Sequence, residues 1–258
     1  MTRNPLRVAV AQASPAPRDV ARNIGHAQRL IETAEAQLLV LPELFLTGYQ
    51  TVGLDELAMA HDDPRLDALV TSCRSTGTAL LVGFVERSAQ GPFDSMLAID
   101  RDGTVRRPIR KTHLFGGENE VFARGDALRT TRLCDLEIGV LNCFEIEFPE
   151  VARTLALRGA ELLAAASANM HPYARDHRIA ATARALENRL PVAYANRVGT
   201  ESGHRFCGSS RIIDADGATL AELDEAAEGV ARANIVPGPR TAGDTAMLAQ
   251  RRPELYAS

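Results

Sequence analysis

The chain has 258 residues, is 45% apolar and 24% charged, and carries a net charge of −4. This is the profile of a soluble globular protein of one large domain or two small ones. The charge gives no basis for a nucleic-acid partner, no window is long and apolar enough to span a bilayer, and residues 1–12 lack the regions of a secretory signal.

In chain order, Leu6 to Ala11 predicts a short buried strand. Asp19 to Ala36 predicts a helix, with Val20, Ile24, Ala27, Ile31 and Ala34 on one stripe. Leu38 to Leu41 is a second buried strand, stopped by Pro42. Asp63-Pro64 opens a helix with Leu66, Leu69, Val70 and Cys73 inward, and Ala79 to Val85 is a strand. Ser95 to Asp100 and Thr104 to Ile109 flank Arg101-Asp102-Gly103, a hairpin signal. Ile138 to Leu141 predicts a strand, and Glu150 to Arg158 a helix opened by Pro149 and stopped by Gly159. Leu162 to Ala165 is a strand, and Ala174 to Leu190 a long helix with Ile179, Ala183, Leu186 and Leu190 as its apolar stripe. Val192 to Asn196 is the next strand, and Ser210 to Ile213 and Ala218 to Ala221 flank a second hairpin turn at Asp216-Gly217.

Strands alternating with helices argue for an α/β fold, and the hairpins add antiparallel strands at its edges. Each hairpin closes a strand–helix–strand stretch, which suggests two repeated halves. No linker-like tract separates them, so residues 1–258 read as a single domain, with an Arg-, Pro- and Ala-rich arm or partner contact over about 237–258. The four cysteines are widely spaced, with no CxxC and no zinc-ligand pattern. Without a secretory signal, reduced thiols and a cytoplasmic location are expected.

Three predicted strand ends carry a reactive side chain in an apolar context: Glu43 after Leu39-Val40-Leu41-Pro42, Lys111 after Ile109-Arg110, and Cys143 after Ile138 to Leu141. Sites in open α/β sheets gather at the carboxyl ends of strands. Taken alone, each has a bland reading: a solvated loop charge, a surface lysine, a packed thiol. His113 offers a Cys–His reading that leaves Glu43 unexplained. His171, Asp176 and His177 do not put both imidazoles on one helix face, so solvent-exposed or capping roles are expected. Cys73, Cys134 and Cys207 read as packing residues.

Together the three sites carry a resemblance. Leu41-Pro42-Glu43-Leu44-Phe45-Leu46-Thr47-Gly48-Tyr49, Arg110-Lys111-Thr112-His113-Leu114-Phe115 and Leu141-Asn142-Cys143-Phe144-Glu145-Ile146-Glu147-Phe148-Pro149-Glu150 resemble the glutamate, lysine and cysteine motifs of the nitrilase superfamily of carbon–nitrogen hydrolases. The likeness runs from Leu6 to about Ala233. It implies a four-layer α-β-β-α sandwich of two mixed sheets flanked by helices, assembled as a homodimer or larger homo-oligomer. It implies a catalytic triad of Glu43, Lys111 and Cys143, with an auxiliary carboxylate at Glu118 or its neighbour Glu120. Phe144, Asn169, Met170 and Tyr173 would border the substrate. No metal or organic cofactor is implied. The family's usual Tyr-Asp after the cysteine is here Phe144-Glu145.

The expected activity is thiol-dependent hydrolysis of a small carboxamide to acid and ammonia, with a small-molecule amide, not a nucleic acid or membrane, as partner. The run Asn169-Met170-His171-Pro172-Tyr173 resembles stereoselective amidases of the group, and the absence of Trp after the cysteine tilts the choice away from a nitrilase. Nitrile or N-carbamoyl (β-ureido acid) hydrolysis is the alternative. A catalytically idle binding or assembly module is the reading from another class.

Overall fold

Along Leu6 to Gln12 the side chains of Val8 and Val10 face one way and those of Ala9 and Ala11 the other, and both sets are buried. A strand covered on both faces needs apolar residues at every position, which is why this run does not alternate with polar residues. It is β1 (Leu6–Gln12) of a computed structural model that describes residues 4–239 and 243–256.

The first half continues with α1 (Val20–Glu32), β2 (Leu38–Val40), α2 (Leu54–Leu57), α3 (Asp67–Thr76), β3 (Ala79–Ser88), β4 (Gly91–Ile99) and β5 (Ile109–Arg110). The second half holds β6 (Thr130–Leu133), β7 (Leu136–Asn142), α4 (Pro149–Leu157), β8 (Leu162–Ser167), α5 (Ala174–Asn188) and β9 (Val192–Asn196). A small ribbon, β10 (Thr200–Glu201) and β11 (His204–Arg205), precedes β12 (Arg211–Ile213), β13 (Thr219–Glu222) and β14 (Gly229–Ile235).

One six-stranded sheet has the order β14-β1-β2-β3-β4-β5 and the other β13-β12-β9-β8-β7-β6. Each has three parallel strands at its centre, β1-β2-β3 in one and β7-β8-β9 in the other, with antiparallel neighbours outside. Val8, Val40 and Leu81 of the first sheet pack against Val140, Ala164 and Ala195 of the second. The outer face of the first sheet is covered by α1 and α3 through Ile24, Ile31, Leu69 and Cys73. The outer face of the second is covered by α4 and α5 through Val151, Leu155, Ala181 and Ala185. The result is the four-layer α-β-β-α sandwich.

Three local outcomes differ from the sequence pattern. Asp19 caps α1 by accepting from the Arg22 amide at 3.0 Å, as its position predicts, but the helix stops at Glu32, and Glu35 takes a positive φ of 46°. The strand expected from Ser95 begins at Gly91 and pairs along its whole length with β3. Its return arm past Gly103 is reduced to one bridge, Ile99 to Val105, and the short β5. Pro108 has no amide to give a ladder there.

The expected stripe of α5 is the third. Ile179 and Leu186 are 56% and 43% exposed, while the buried face holds Ala180, Ala181 and Ala185 with His177, Arg184 and Asn188. Alanines let this helix lie close to the sheet. Arg184 in turn donates to the carbonyls of Ile146 (2.8 Å) and Glu147 (2.9 Å), so its buried charge has partners. Of the expected arm over 237–258, part lies outside the described residues. Within 243–256, Ala246 is buried and Leu248 packs against the α4–α5 layer.

Candidate active site

Glu43 lies just past β2, behind Pro42, and is fully buried. Gly83 on β3 makes room for that turn: a Cβ there would overlap the Leu44 nitrogen and stand 2.6 Å from the Glu43 carbonyl carbon. Glu43 Oε1 accepts from Lys111 Nζ at 2.5 Å and Oε2 from the Ala168 amide at 2.9 Å. The carboxylate thus reaches from one sheet to the loop after β8 of the other.

Lys111 follows β5, its amide donating to Asp94 O (2.9 Å) and its carbonyl accepting from Gly125 N (2.8 Å). Its ammonium is buried and meets Glu118 Oε2 at 2.8 Å and Asp94 Oδ2 at 3.5 Å as well as Glu43. Glu118 also accepts from the Tyr49 hydroxyl (2.7 Å) and the Phe115 amide (2.8 Å). Glu120 is exposed, so Glu118 is the neighbour that contacts Lys111. Carboxylate oxygens of Glu43, Asp94 and Glu118 lie within 4.8 Å of one another, a cluster that could suit a metal. Here the cation they surround is the Lys111 ammonium.

Burial opposes the Lys111 charge, but Glu43, Glu118 and Asp94 outweigh it and hold the pKa well above the ordinary lysine value. Asp94 goes the opposite way from most acids: burial first, then the charge of Glu43, push it well above the carboxylate range. It therefore holds its proton to a higher pH than an ordinary aspartic acid does. Burial and Glu118 also push the Tyr49 phenol up, so it stays a donor to Glu118.

Cys143 follows β7 directly and opens a single tight turn, Cys143–Glu147, with a positive φ of 44°. That conformation is costly for a residue with a Cβ and persists only where neighbours fix it. Glu145 does so: Oε2 accepts from the Asn142 amide at 2.8 Å, and Oε1 from the amide (2.7 Å) and hydroxyl (2.6 Å) of Thr112. One carboxylate therefore ties the cysteine turn to the residue after Lys111. Asn142 Nδ2 donates to Asp94 Oδ1 at 2.8 Å, a second tie.

Cys143 as a residue is half-buried. Burial, then Glu43, raise its pKa well above the ordinary cysteine value, while Lys111 and the Ser167 hydroxyl, 3.3 Å from Sγ, pull it back. The resting group is a thiol that needs a base.

Behind Cys143 lies a network that sequence reasoning missed. His177, read from the sequence as exposed or capping, is buried at 3% exposure. Its Nδ1 faces Tyr194 OH at 3.0 Å and Ser167 Oγ at 3.4 Å, and its Nε2 faces Glu147 Oε1 at 3.2 Å. Asp94, Ser167 and Glu145 were also missed. The available signal was Asp94 alone, an acid inside the apolar run from Phe93 to Ile99. His113 is occupied elsewhere: Nδ1 meets Thr112 Oγ1 at 2.8 Å and the ring packs on Phe148 with centroids 4.3 Å apart.

A small pocket opens beside Cys143. Phe144, Asn169, Met170 and Tyr173 all line it, with Tyr49 and Phe115. The Asn169 amide is committed, donating to Tyr173 O (3.1 Å) and accepting from Met170 N (2.9 Å), so it shapes the wall. Cys207 supports it from behind, donating to Asn169 O at 3.2 Å, and Cys73 and Cys134 are buried away from the site.

The family profile described as Carbon-nitrogen hydrolase matches residues 7–241. A Pseudomonas protegens protein called "Hydrolase in pqqF 5'region" is 41% identical over 261 residues, 97% of this chain and 90% of its own. An (R)-stereoselective amidase from Pseudomonas sp. is 33% identical over 223 residues, 84% of this chain and 80% of its own. Among solved structures, an amidase from Nesterenkonia sp. superposes with a TM-score of 0.84 at 28% identity, covering 97% of this chain and 95% of its own. A glutamate-to-glutamine variant of that amidase shows covalent addition of the acetamide moiety of fluoroacetamide at its active-site cysteine. With the profile spanning nearly the whole chain and the sandwich superposing on a solved amidase, this chain belongs to the carbon–nitrogen hydrolase family of the nitrilase superfamily.

Proposed function

We propose that the chain hydrolyses a small carboxamide to a carboxylic acid and ammonia through a thioester on Cys143. The observation that carries this reading is the Lys111 ammonium clasped between Glu43 and Glu118 beside a cysteine that lines a pocket. Amide hydrolysis needs a nucleophile, a proton carrier and a stabiliser for the oxyanion. Glu43 takes the thiol proton as Sγ attacks the carbonyl carbon. Lys111 and the Phe144 amide, next after the nucleophile in the turn, hold the oxygen as it gains charge. Glu43 passes its proton to the nitrogen, the C–N bond breaks and ammonia leaves. Water then gives a proton to Glu43 and attacks the thioester. The C–S bond breaks, and the sulfur takes the proton back. Glu118 fixes Lys111 and orients the substrate amide. Phe144, Asn169, Met170 and Tyr173 bound the acyl group.

Four free cysteines suit a cytoplasmic setting, and the exposed Ile179 and Leu186 of α5 suit a homo-oligomer.

The test is ammonia release from a panel of aliphatic and amino-acid amides. Turnover is expected in the wild type, and none above background in Cys143→Ala or Glu43→Gln. Full turnover in Cys143→Ala, or loss in His113→Ala but not in Glu43→Ala, would overturn the mechanism. Activity confined to nitriles or N-carbamoyl compounds would move the reading to those classes, and none on any of the three would leave an idle module.

A further inference from the structure

Two carboxylates line the pocket, Glu118 and Glu147, and they are not equivalent. Glu118 is almost fully buried and already accepts three hydrogen bonds, from Tyr49, Lys111 and the Phe115 amide. Glu147 sits at the far end of the turn that Cys143 opens, and its side chain is 34% exposed. Its Oε1 faces His177, while Oε2 makes no hydrogen bond among the described residues.

The network behind it fixes its place. His177 Nδ1 meets the Tyr194 and Ser167 hydroxyls at 3.0 and 3.4 Å, and Nε2 stands 3.2 Å from Glu147 Oε1, so the ring holds the carboxylate at the pocket wall. No lysine or arginine is among the pocket-lining residues within the described chain. The rings of Phe115, Phe144 and Tyr173 also line the pocket and pack edge to face: Phe144 and Tyr173 each lie on Phe115, at 5.4 and 5.8 Å between centroids. Aromatic faces attract cations and give nothing to an anion. A wall with a part-exposed carboxylate, clustered rings and neither lysine nor arginine selects by charge.

We infer that the acyl group taken by this pocket carries a protonated amine, with Glu147 as its counter-ion and His177 as the residue that positions Glu147. This rests on the amidase reading above and narrows it to amino-substituted carboxamides, against neutral and carboxylate-bearing ones. N-Carbamoyl amino acids would place their carboxylate against Glu147 and are disfavoured on the same ground.

The test compares kcat/KM at pH 7 for three amides of similar size: alaninamide, whose amine is largely protonated there, propionamide and succinamate. Alaninamide is expected to exceed propionamide by at least about tenfold, the scale of one hydrogen bond to a charged group, with succinamate lowest. In Glu147→Gln the alaninamide-to-propionamide ratio is expected to fall toward one, and in Glu147→Lys succinamate is expected to overtake alaninamide. Wild-type enzyme that hydrolyses propionamide or succinamate as well as alaninamide overturns the inference and leaves the amidase reading standing. So does a Glu147→Gln ratio equal to that of the wild type. Failure on every amide sinks the amidase reading itself, and the inference with it. The wild-type ranking decides the matter even if a variant fails to fold.

Discussion

Lys111 brings one positive charge to three buried carboxyl groups, so a proton kept on one of them lowers the negative surplus of the site. Asp94 is where it stays. An unfolded Asp gives up its proton from about pH 4, whereas the folded Asp94 keeps it to a much higher pH. The folded state therefore binds more protons in that window, and Asp94 costs stability increasingly as pH rises through it. Asp94→Asn, whose neutral amide replaces a neutral acid, is expected to raise Tm at pH 7, with the gain shrinking toward pH 4. A gain of equal size at both pH values, or a loss at pH 7, would contradict this. Ser167→Ala removes the hydroxyl aimed at Sγ. It is expected to slow turnover by about tenfold, the scale of one hydrogen bond to a charged sulfur, and to shift the pH profile of Cys143 alkylation by iodoacetamide upward. At this scale Glu43 and Cys143 were legible because each is a reactive side chain after an apolar run, and Lys111 because it ends a hairpin arm within a recognisable motif. Ser167, His177 and Glu145 were not, because their roles exist only once separate strand ends converge.

Elements were legible where burial imposes a simple rule. The parallel strands β1, β2, β7, β8 and β9 read as unbroken apolar runs because both their faces are covered. The face of α5 was misread because periodicity ranks large aliphatics inward, while this helix needs small residues against the sheet and an arginine to hold the nucleophile turn. The arm after Gly103 was overextended because a turn signal says nothing of how much ladder follows. Gly83 shows an element serving the site directly. Gly83→Ala forces β3 and the Glu43 turn apart, and is expected to cost about 1–3 kcal/mol of stability and most of the turnover. Thermal melts and kcat measure the two effects separately, and retention of full kcat would show that the turn tolerates the displacement.

The two sheets have the same plan: three parallel strands and a hairpin on one side, with an antiparallel strand on the other. In this correspondence β2 matches β8, and Glu43 from the end of one bonds the Ala168 amide past the end of the other. The two-half pattern read from the hairpins is thus visible in the topology, while the meeting of the halves is a property of the packed sheets alone. On the outside, Ile179 and Leu186 leave an apolar stripe on α5. If this stripe joins copies of the chain, Ile179→Glu with Leu186→Glu is expected to lower the sedimentation coefficient toward that of a monomer. An unchanged coefficient would place the contact elsewhere.

The antiparallel strand of the first sheet is β14, which runs beside β1 from Leu6 opposite Ile235 to Gln12 opposite Gly229. Two strands more than 200 residues apart are thus zipped together. During translation, β1 waits for β14 until the more than 200 residues between them have emerged. Until then its edge is open to any other nascent strand. A protein terminated before Gly229 would keep every proposed catalytic side chain and still present that raw edge, so its expected fate is aggregation rather than slow turnover.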